Sequence, residues 1–243
     1  MRCLFITLLL GSPLVQAGEV LVAVASNFYG TAQKLAEDFR TESGHSVRLS
    51  SGSTGQHYAQ ILHGAPFQVF LAADELRPEL LQQQGIGVEG SRQTYALGRL
   101  VVWSNQPLQQ LGSLMHFDRL AIANPRLAPY GEAAIELLDQ LGGELRPKLV
   151  MGENVSQAFQ FVATGAVAAG MVSMAQLQEL PAGQRGYYLP VPPEYYGEIR
   201  QQMLLLDNSP AAQAFHQYLQ SPRARQLIEN SGYLLPTPPQ AEL

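Results

Sequence analysis

An apolar run of strand length followed by a run of helical period recurs along this chain. That alternation points to largely parallel sheets covered by helices. Glu19 to Ala25 (EVLVAVA) reads as a buried strand; Ala32, Leu35, Ala36 and Phe39 then recur at helical spacing, and Gly44 supplies the stop. Val47–Ser50 and Gln68–Ala73 read as further strands, followed by helices from about Gly55 to His63 and from Glu75 to Gln84. A second set follows the long strand-like run Thr94–Ser104: Leu120–Ala123, a helix over Glu132–Leu141, Leu149–Met151, a helix from Val155 to Thr164, and Ala168–Ser173. Ile199–Leu206 is again strand-like, and two amphipathic helices, about Ser209–Gln220 and Arg223–Ser231, complete the pattern.

A chain that leaves one α/β unit by an extended segment and returns by another builds two lobes on a two-segment hinge. The expected fold is therefore α/β in two lobes. Residues 18–97 plus 202–243 make lobe 1, residues 98–201 make lobe 2, and the hinge runs through Thr94–Ser104 and Ile199–Leu206. Ligands of such sheets sit at the carboxyl ends of strands, where helix N-termini point.

The first 17 residues stand apart. Arg2 precedes the apolar run Cys3–Leu10, too short to span a bilayer, and Val15-Gln16-Ala17 fits a small-x-small cleavage site. This reads as a signal peptide cut after Ala17, which implies an exported product. Cys3 is the only cysteine and would leave with it, so no disulfide or thiolate metal site is expected. The net charge is −5 with no basic cluster, which argues against nucleic acid.

Four strand-to-helix junctions share a character: Ala25-Ser26-Asn27-Phe28, Ser51-Gly52-Ser53-Thr54-Gly55, Asn124 to Gly131, and Glu153-Asn154-Val155-Ser156. Each places hydroxyl, amide or bare backbone N–H groups where a helix starts. A helix start carries partial positive charge and up to four orphan donors. Any one of these junctions alone reads first as an N-cap; four together can surround an anion without Lys or Arg. Arg126 reads as a solvated loop residue, and Glu153 is expected to face outward.

Enzyme signatures are poor. The stretch around Ser53 is neither G-x-S-x-G nor a P-loop. The five histidines show no metal-ligand spacing and read as surface residues. An exported hydrolase using Ser53 or Thr54 as nucleophile lacks an identifiable base, so no catalytic residue and no cofactor is expected. Tyr187-Tyr188 and Tyr195-Tyr196 read as packing near the hinge.

The segments VAVASNF, SSGSTGQ, GAPFQVFLAADE, IANPRLAPYGEAA, GENVSQAF and GAVAAGMVSMAQL together resemble the periplasmic molybdate-binding proteins of ABC importers, within the type II two-lobed periplasmic binding proteins. The resemblance covers nearly the whole chain after the signal. It implies a tetrahedral oxyanion, molybdate or tungstate, held between the lobes by neutral hydrogen bonds, and a membrane permease as partner of a monomeric receptor. Carried over by position, the ligand residues are Ser26 and Asn27, Thr54 with Ser53 as its less favoured neighbour, Tyr130 through its backbone N–H, and Val155 through its backbone N–H. Some members supply a tyrosine hydroxyl after the late strand, where this chain has Ser173. Gly52 and Gly55 are expected to let the backbone approach the anion. A receptor for another oxyanion, sulfate or phosphate, is the alternative within the same class.

Overall fold

A computed structural model describes residues 17–142 and 147–237. The signal segment, apart from Ala17, and the end of the Pro-rich tail lie outside the described residues.

Among the described residues, ten strands form two five-stranded sheets. The first contains β1 (Glu19–Ala25), β2 (Ser46–Gly52), β3 (Val69–Leu71), β4 (Gln93–Gly98) and β10 (Ile199–Leu205), in the order β2-β1-β3-β10-β4. The second contains β5 (Leu100–Ser104), β6 (Arg119–Ala123), β7 (Lys148–Gly152), β8 (Ala169–Ser173) and β9 (Tyr187–Pro190), in the order β7-β6-β8-β5-β9. In each, three parallel strands are followed by one antiparallel strand that arrives by a crossing. The expected two-lobed α/β fold is present.

The run Thr94–Ser104 proves to be two strands. β4 belongs to the first sheet and β5 to the second, and only Arg99 lies between them. The chain returns after β9, and β10 is wholly a strand of the first sheet from Ile199 onward. Gly98 has no room for a side chain: a Cβ there would lie 2.5 Å from the Tyr130 hydroxyl and 2.9 Å from Ile199.

Helices cover both sheets. They are α1 (Tyr29–Ser43), α2 (Thr54–Leu62), α3 (Leu76–Gln83), α4 (Pro129–Leu141), α5 (Val155–Ala163), α6 (Met174–Glu179), α7 (Pro210–Tyr218) and α8 (Pro222–Asn230). The apolar stripe of α1, with Ala32, Leu35 and Phe39 buried, packs with Val20, Val22, Val24 and Phe215 into one core. Gly44 ends α1 with φ of 75°, the left-handed conformation that glycine adopts without strain. Lobe 2 has its own core around Val101, Trp103, Ile122, Leu137 and Met171. The short α6 carries little periodic signal and was not foreseen in the sequence. No helix among the described residues is long and apolar enough to cross a membrane.

Three of the five histidines are buried, contrary to the surface reading. His45 accepts the Gly18 N–H through Nδ1 at 2.9 Å, and His216 Nε2 lies 2.7 Å from the Ser91 carbonyl oxygen. The His57 ring packs edge-on to Phe67, with Nδ1 3.1 Å from Gln60 Oε1. Burial holds both His57 and His216 below the usual histidine pKa. His63 and His116 are exposed.

Candidate functional site at the junction of the lobes

The parallel strands carry all four junctions to one edge of each sheet. β1 and β2 run in register to Ala25 opposite Gly52, so Ser26-Asn27 and Ser53-Thr54 leave neighbouring strand ends. β3 lies on the other side of β1, and the Ala73 N–H beyond its end donates to Thr54 Oγ1 at 3.0 Å. In lobe 2 the ends of β6 and β7 are likewise paired, Ala123 opposite Gly152, and Asn124 N–H donates to the Gly152 carbonyl at 2.7 Å.

Hydrogen bonds then tie each junction to one in the other lobe. Gly55 N–H, in α2, donates to the Leu127 carbonyl before α4 at 2.9 Å. At the start of α5, Ser156 N–H donates to Ser26 Oγ at 3.4 Å and Ser156 Oγ donates to the Ser26 carbonyl at 3.1 Å. Gln56 Nε2 reaches Glu153 Oε2 at 3.4 Å. Arg77, paired with Asp74 inside lobe 1, extends Nη2 to the Arg126 carbonyl at 3.2 Å. The Asp74-Glu75 end of the GAPFQVFLAADE segment thereby gains a local reason: Asp74 anchors the arginine that bridges the lobes.

The helix starts differ in what caps them. Ser53 is a true N-cap, its Oγ accepting from Gln56 N–H while Gln56 Oε1 accepts from Ser53 N–H. Asn154 caps α5 through Gln157 N–H. Neither the 3-10 turn Ser26–Phe28 nor α4 has a side-chain cap, and Pro129 at the start of α4 has no N–H to offer. The backbone N–H groups of Asn27, Thr54, Tyr130 and Val155 take no hydrogen bond among the described residues. The hydroxyls of Ser26 and Thr54 accept bonds but donate none there. All five of these residues are buried. An unpaired buried donor costs about 1–3 kcal/mol, so such a set is kept only where something accepts from it.

The surroundings are neutral. Among the described residues the buried polar side chains, tyrosines and Trp103 apart, are all Ser, Thr, Asn, Gln or His. Arg126 and Glu153 are exposed, as expected. No cluster of three metal-ligating side chains is present among the described residues.

Asn27 is held from behind. Its Nδ2 donates to Gln201 Oε1 and to Tyr233 Oη, both at 3.0 Å, and the Tyr233 hydroxyl donates back to the Asn27 carbonyl at 2.7 Å. Both amide hydrogens are spent there, which leaves Asn27 its backbone N–H for a ligand. Gln201 also accepts from Tyr95 Oη at 3.1 Å and reaches the Tyr130 hydroxyl with Nε2 at 3.5 Å. It therefore joins Asn27 of lobe 1 to Tyr130 of lobe 2. Burial pushes the phenols of Tyr95, Tyr130 and Tyr233 upward in pKa, so all three stay neutral donors or acceptors.

Ser173 stands one step back. Its hydroxyl donates to Gln176 Oε1 at 3.2 Å and accepts from Gln176 N–H at 3.3 Å, so its only hydrogen is used within lobe 2. The two glycines of the second junction also serve neighbours inside the protein. A Cβ on Gly52 would lie 2.9 Å from His57 Nε2, and one on Gly55 would lie 3.1 Å from the Leu127 carbonyl oxygen. Ser53 Oγ serves the cap, and the nearby His57 ring bonds Gln60 through Nδ1.

Ser156, Gln176 and Gln201 were missed as site residues. Ser156 follows Val155 inside a junction already singled out, but Gln176 and Gln201 carry no local signal of a role. Of the tyrosine pairs, Tyr196 accepts the Leu100 N–H at 3.2 Å beside the crossing, whereas Tyr187 and Tyr188 are exposed on the edge strand β9.

Comparison with known proteins assigns the chain to a family. Residues 20–234 match the family described as bacterial extracellular solute-binding protein. The chain is 44% identical over 228 residues to the molybdate-binding protein ModA of Azotobacter vinelandii, covering 90% of each chain. It is 41% identical over 227 residues to ModA of Rhodobacter capsulatus, covering 90% of this chain and 89% of the relative. The solved periplasmic molybdate-binding protein of Azotobacter vinelandii superposes with a TM-score of 0.82 at 37% identity, over 90% of this chain and all of that one. The chain belongs to the bacterial extracellular solute-binding proteins.

Proposed function

We propose that this protein is the periplasmic receptor of an ABC importer, capturing molybdate or tungstate between its lobes and handing it to a membrane permease. The observation that carries the reading is the set of buried, neutral, unpaired donors at the converging helix starts. Its ligand residues are Ser26, Asn27, Thr54, Tyr130 and Val155. Asn27, Tyr130 and Val155 act through backbone N–H, and Ser26 and Thr54 add their hydroxyls. Ser53 serves mainly as the cap of α2, and Ser173 supports Gln176 rather than touching the ligand. The similarity to the two ModA proteins supports the choice of oxyanion and the export of the chain by its N-terminal signal. The hinge lies in the two crossings, Gly98–Leu100 and the segment between β9 and β10, and the receptor acts as a monomer.

Calorimetric titration with molybdate, tungstate, sulfate and phosphate tests the reading. Molybdate and tungstate should bind and the other two should not. Equal binding of sulfate refutes the specificity, and no binding of any oxyanion refutes the function. Thr54→Ala removes a hydroxyl donor to a charged acceptor, about 1.5–3 kcal/mol, or about 10- to 150-fold in affinity. Val155→Ala keeps its N–H and should be nearly silent.

A further inference from the structure

The geometry points to Ser156, held by Gln176, as a positioning residue that fastens the closed lobes and sets how fast the ligand leaves. This rests on the receptor reading above. Ser156 is the second residue of α5 in lobe 2, and its two bonds to Ser26 of lobe 1 form a reciprocal pair: N–H to Oγ at 3.4 Å and Oγ to the carbonyl at 3.1 Å. Behind it, Gln176 Nε2 donates to Ser156 Oγ at 2.9 Å. A serine hydroxyl has one hydrogen, so accepting from Gln176 turns that hydrogen outward, toward Ser26.

Gln176 itself has only one useful orientation. Its Oε1 accepts the Ser173 N–H and hydroxyl, each at 3.2 Å, which fixes Nε2 toward Ser156. Gln176 is buried, so turning the amide around would strand donors on both sides. The chain Ser173–Gln176–Ser156 is thus preset within lobe 2, and it meets Ser26 only when the lobes come together.

The contact also acts on the ligand site. Ser26 Oγ, by accepting from Ser156 N–H, has its hydrogen left to point elsewhere. Closure therefore converts the Ser26 hydroxyl into an oriented donor for the oxyanion, without Ser156 touching the anion. Loss of the Ser156 hydroxyl leaves capture by the open lobes unchanged and removes a bond made only in the closed state.

The test measures release of radiolabelled molybdate chased by excess unlabelled molybdate, together with the capture rate and the melting temperature with and without ligand. Ser156→Ala should speed release about three- to tenfold, as loss of a hydrogen bond predicts, with capture within about twofold. Its ligand-free melting temperature should fall, because Gln176 Nε2 loses its acceptor inside lobe 2, and the liganded one should fall further, because the bond to the Ser26 carbonyl is lost as well. Ser156→Thr, which keeps the hydroxyl, should restore slow release. Unchanged release in Ser156→Ala beside a normally binding wild type overturns the inference alone. A ligand-free melting temperature that falls as far as the liganded one also overturns it, by showing a structural role. A wild type that binds no oxyanion overturns the receptor reading and this inference with it.

Discussion

Replacing Gln201 by leucine should expose how much of the site depends on the residues behind it. Gln201 is fully buried in β10, where the ladder to β4 shifts register between Gln201 and Gln202. Its Oε1 accepts two donors, Asn27 Nδ2 at 3.0 Å and Tyr95 Oη at 3.1 Å. These losses are unequal. Tyr95 Oη also lies 3.1 Å from the Ala72 carbonyl, so its hydrogen falls back on a second acceptor. Asn27 loses the acceptor of that hydrogen outright, its other hydrogen already serving Tyr233. One orphaned buried donor costs about 1–3 kcal/mol. In a chain of this size each kcal/mol lowers the melting temperature by about 2–4 °C, so Gln201→Leu should melt about 2–12 °C below wild type. Differential scanning calorimetry measures the shift. The same count predicts non-additivity: with Gln201 gone, Asn27→Ala removes the stranded donor, and the pair should couple by about 1 kcal/mol in a double-mutant cycle. A drop below about 1 °C, or strict additivity, refutes the claim that Gln201 holds the Asn27 amide.

Gly131→Ala should be among the costlier single-methyl additions, since its Cβ would lie 2.4 Å from the Ala123 carbonyl oxygen and 2.7 Å from Pro125 N, both backbone. A loss of about 1–3 kcal/mol is expected in thermal unfolding, with weaker molybdate binding because Tyr130 N–H moves with the start of α4. Gly55→Ala places its Cβ 3.1 Å from the Leu127 carbonyl oxygen across the lobes, so calorimetric affinity should fall while the ligand-free melting temperature holds. Burial depresses the folded-state pKa of His57 and His216, so the unfolded chain binds more protons below the ordinary histidine pKa of about 6.5. Their contribution is fully present above that pH and is lost as pH falls through the folded pKa. Glu179, raised by burial, works in the opposite sense. The acid decline of the melting temperature should flatten in His216→Gln, and parallel curves for variant and wild type would exclude histidine as its cause.

The alternation of strand and helix was readable because each run keeps one period long enough to count. Thr94–Ser104 was not separable into two strands, since one residue at a lobe crossing leaves the alternation unbroken. The common strand order of the two sheets is equally invisible, because it lives in pairing and not in residue identity. Within the site, residues at helix starts could be found by what they offer: Ser26, Thr54 and Val155 stand where a strand gives way to a helix. Gln176 and Gln201 could not. A glutamine on a helix or in a strand reads as a solvent-facing residue until the fold encloses it. The adjacent polar pair Gln201-Gln202 inside an apolar strand was the one available hint, and it marks the register shift.

On the proposed reading, a chain with net charge −5 holds a dianion without a buried cation, and that needs a physical reason. A Lys or Arg in the site would have to be desolvated each time the lobes close, at several kcal/mol per ion. Helix-start N–H groups and hydroxyls carry their partial charge already oriented and lose less when the lobes close. A donor-only set also selects by protonation. Molybdate accepts every bond, whereas a protonated phosphate brings a hydrogen with no acceptor to receive it, at about 1–3 kcal/mol. Sulfate carries no such hydrogen, so only the span between donors can reject it. That span is fixed by the contacts that bring the lobes together: Gly55 on Leu127, Ser156 on Ser26 and Gln201 on Tyr130. On this argument discrimination against phosphate belongs to the ligand residues, and discrimination against sulfate belongs to the residues that set closure. Variants of the second group should therefore lose selectivity against sulfate before they lose selectivity against phosphate.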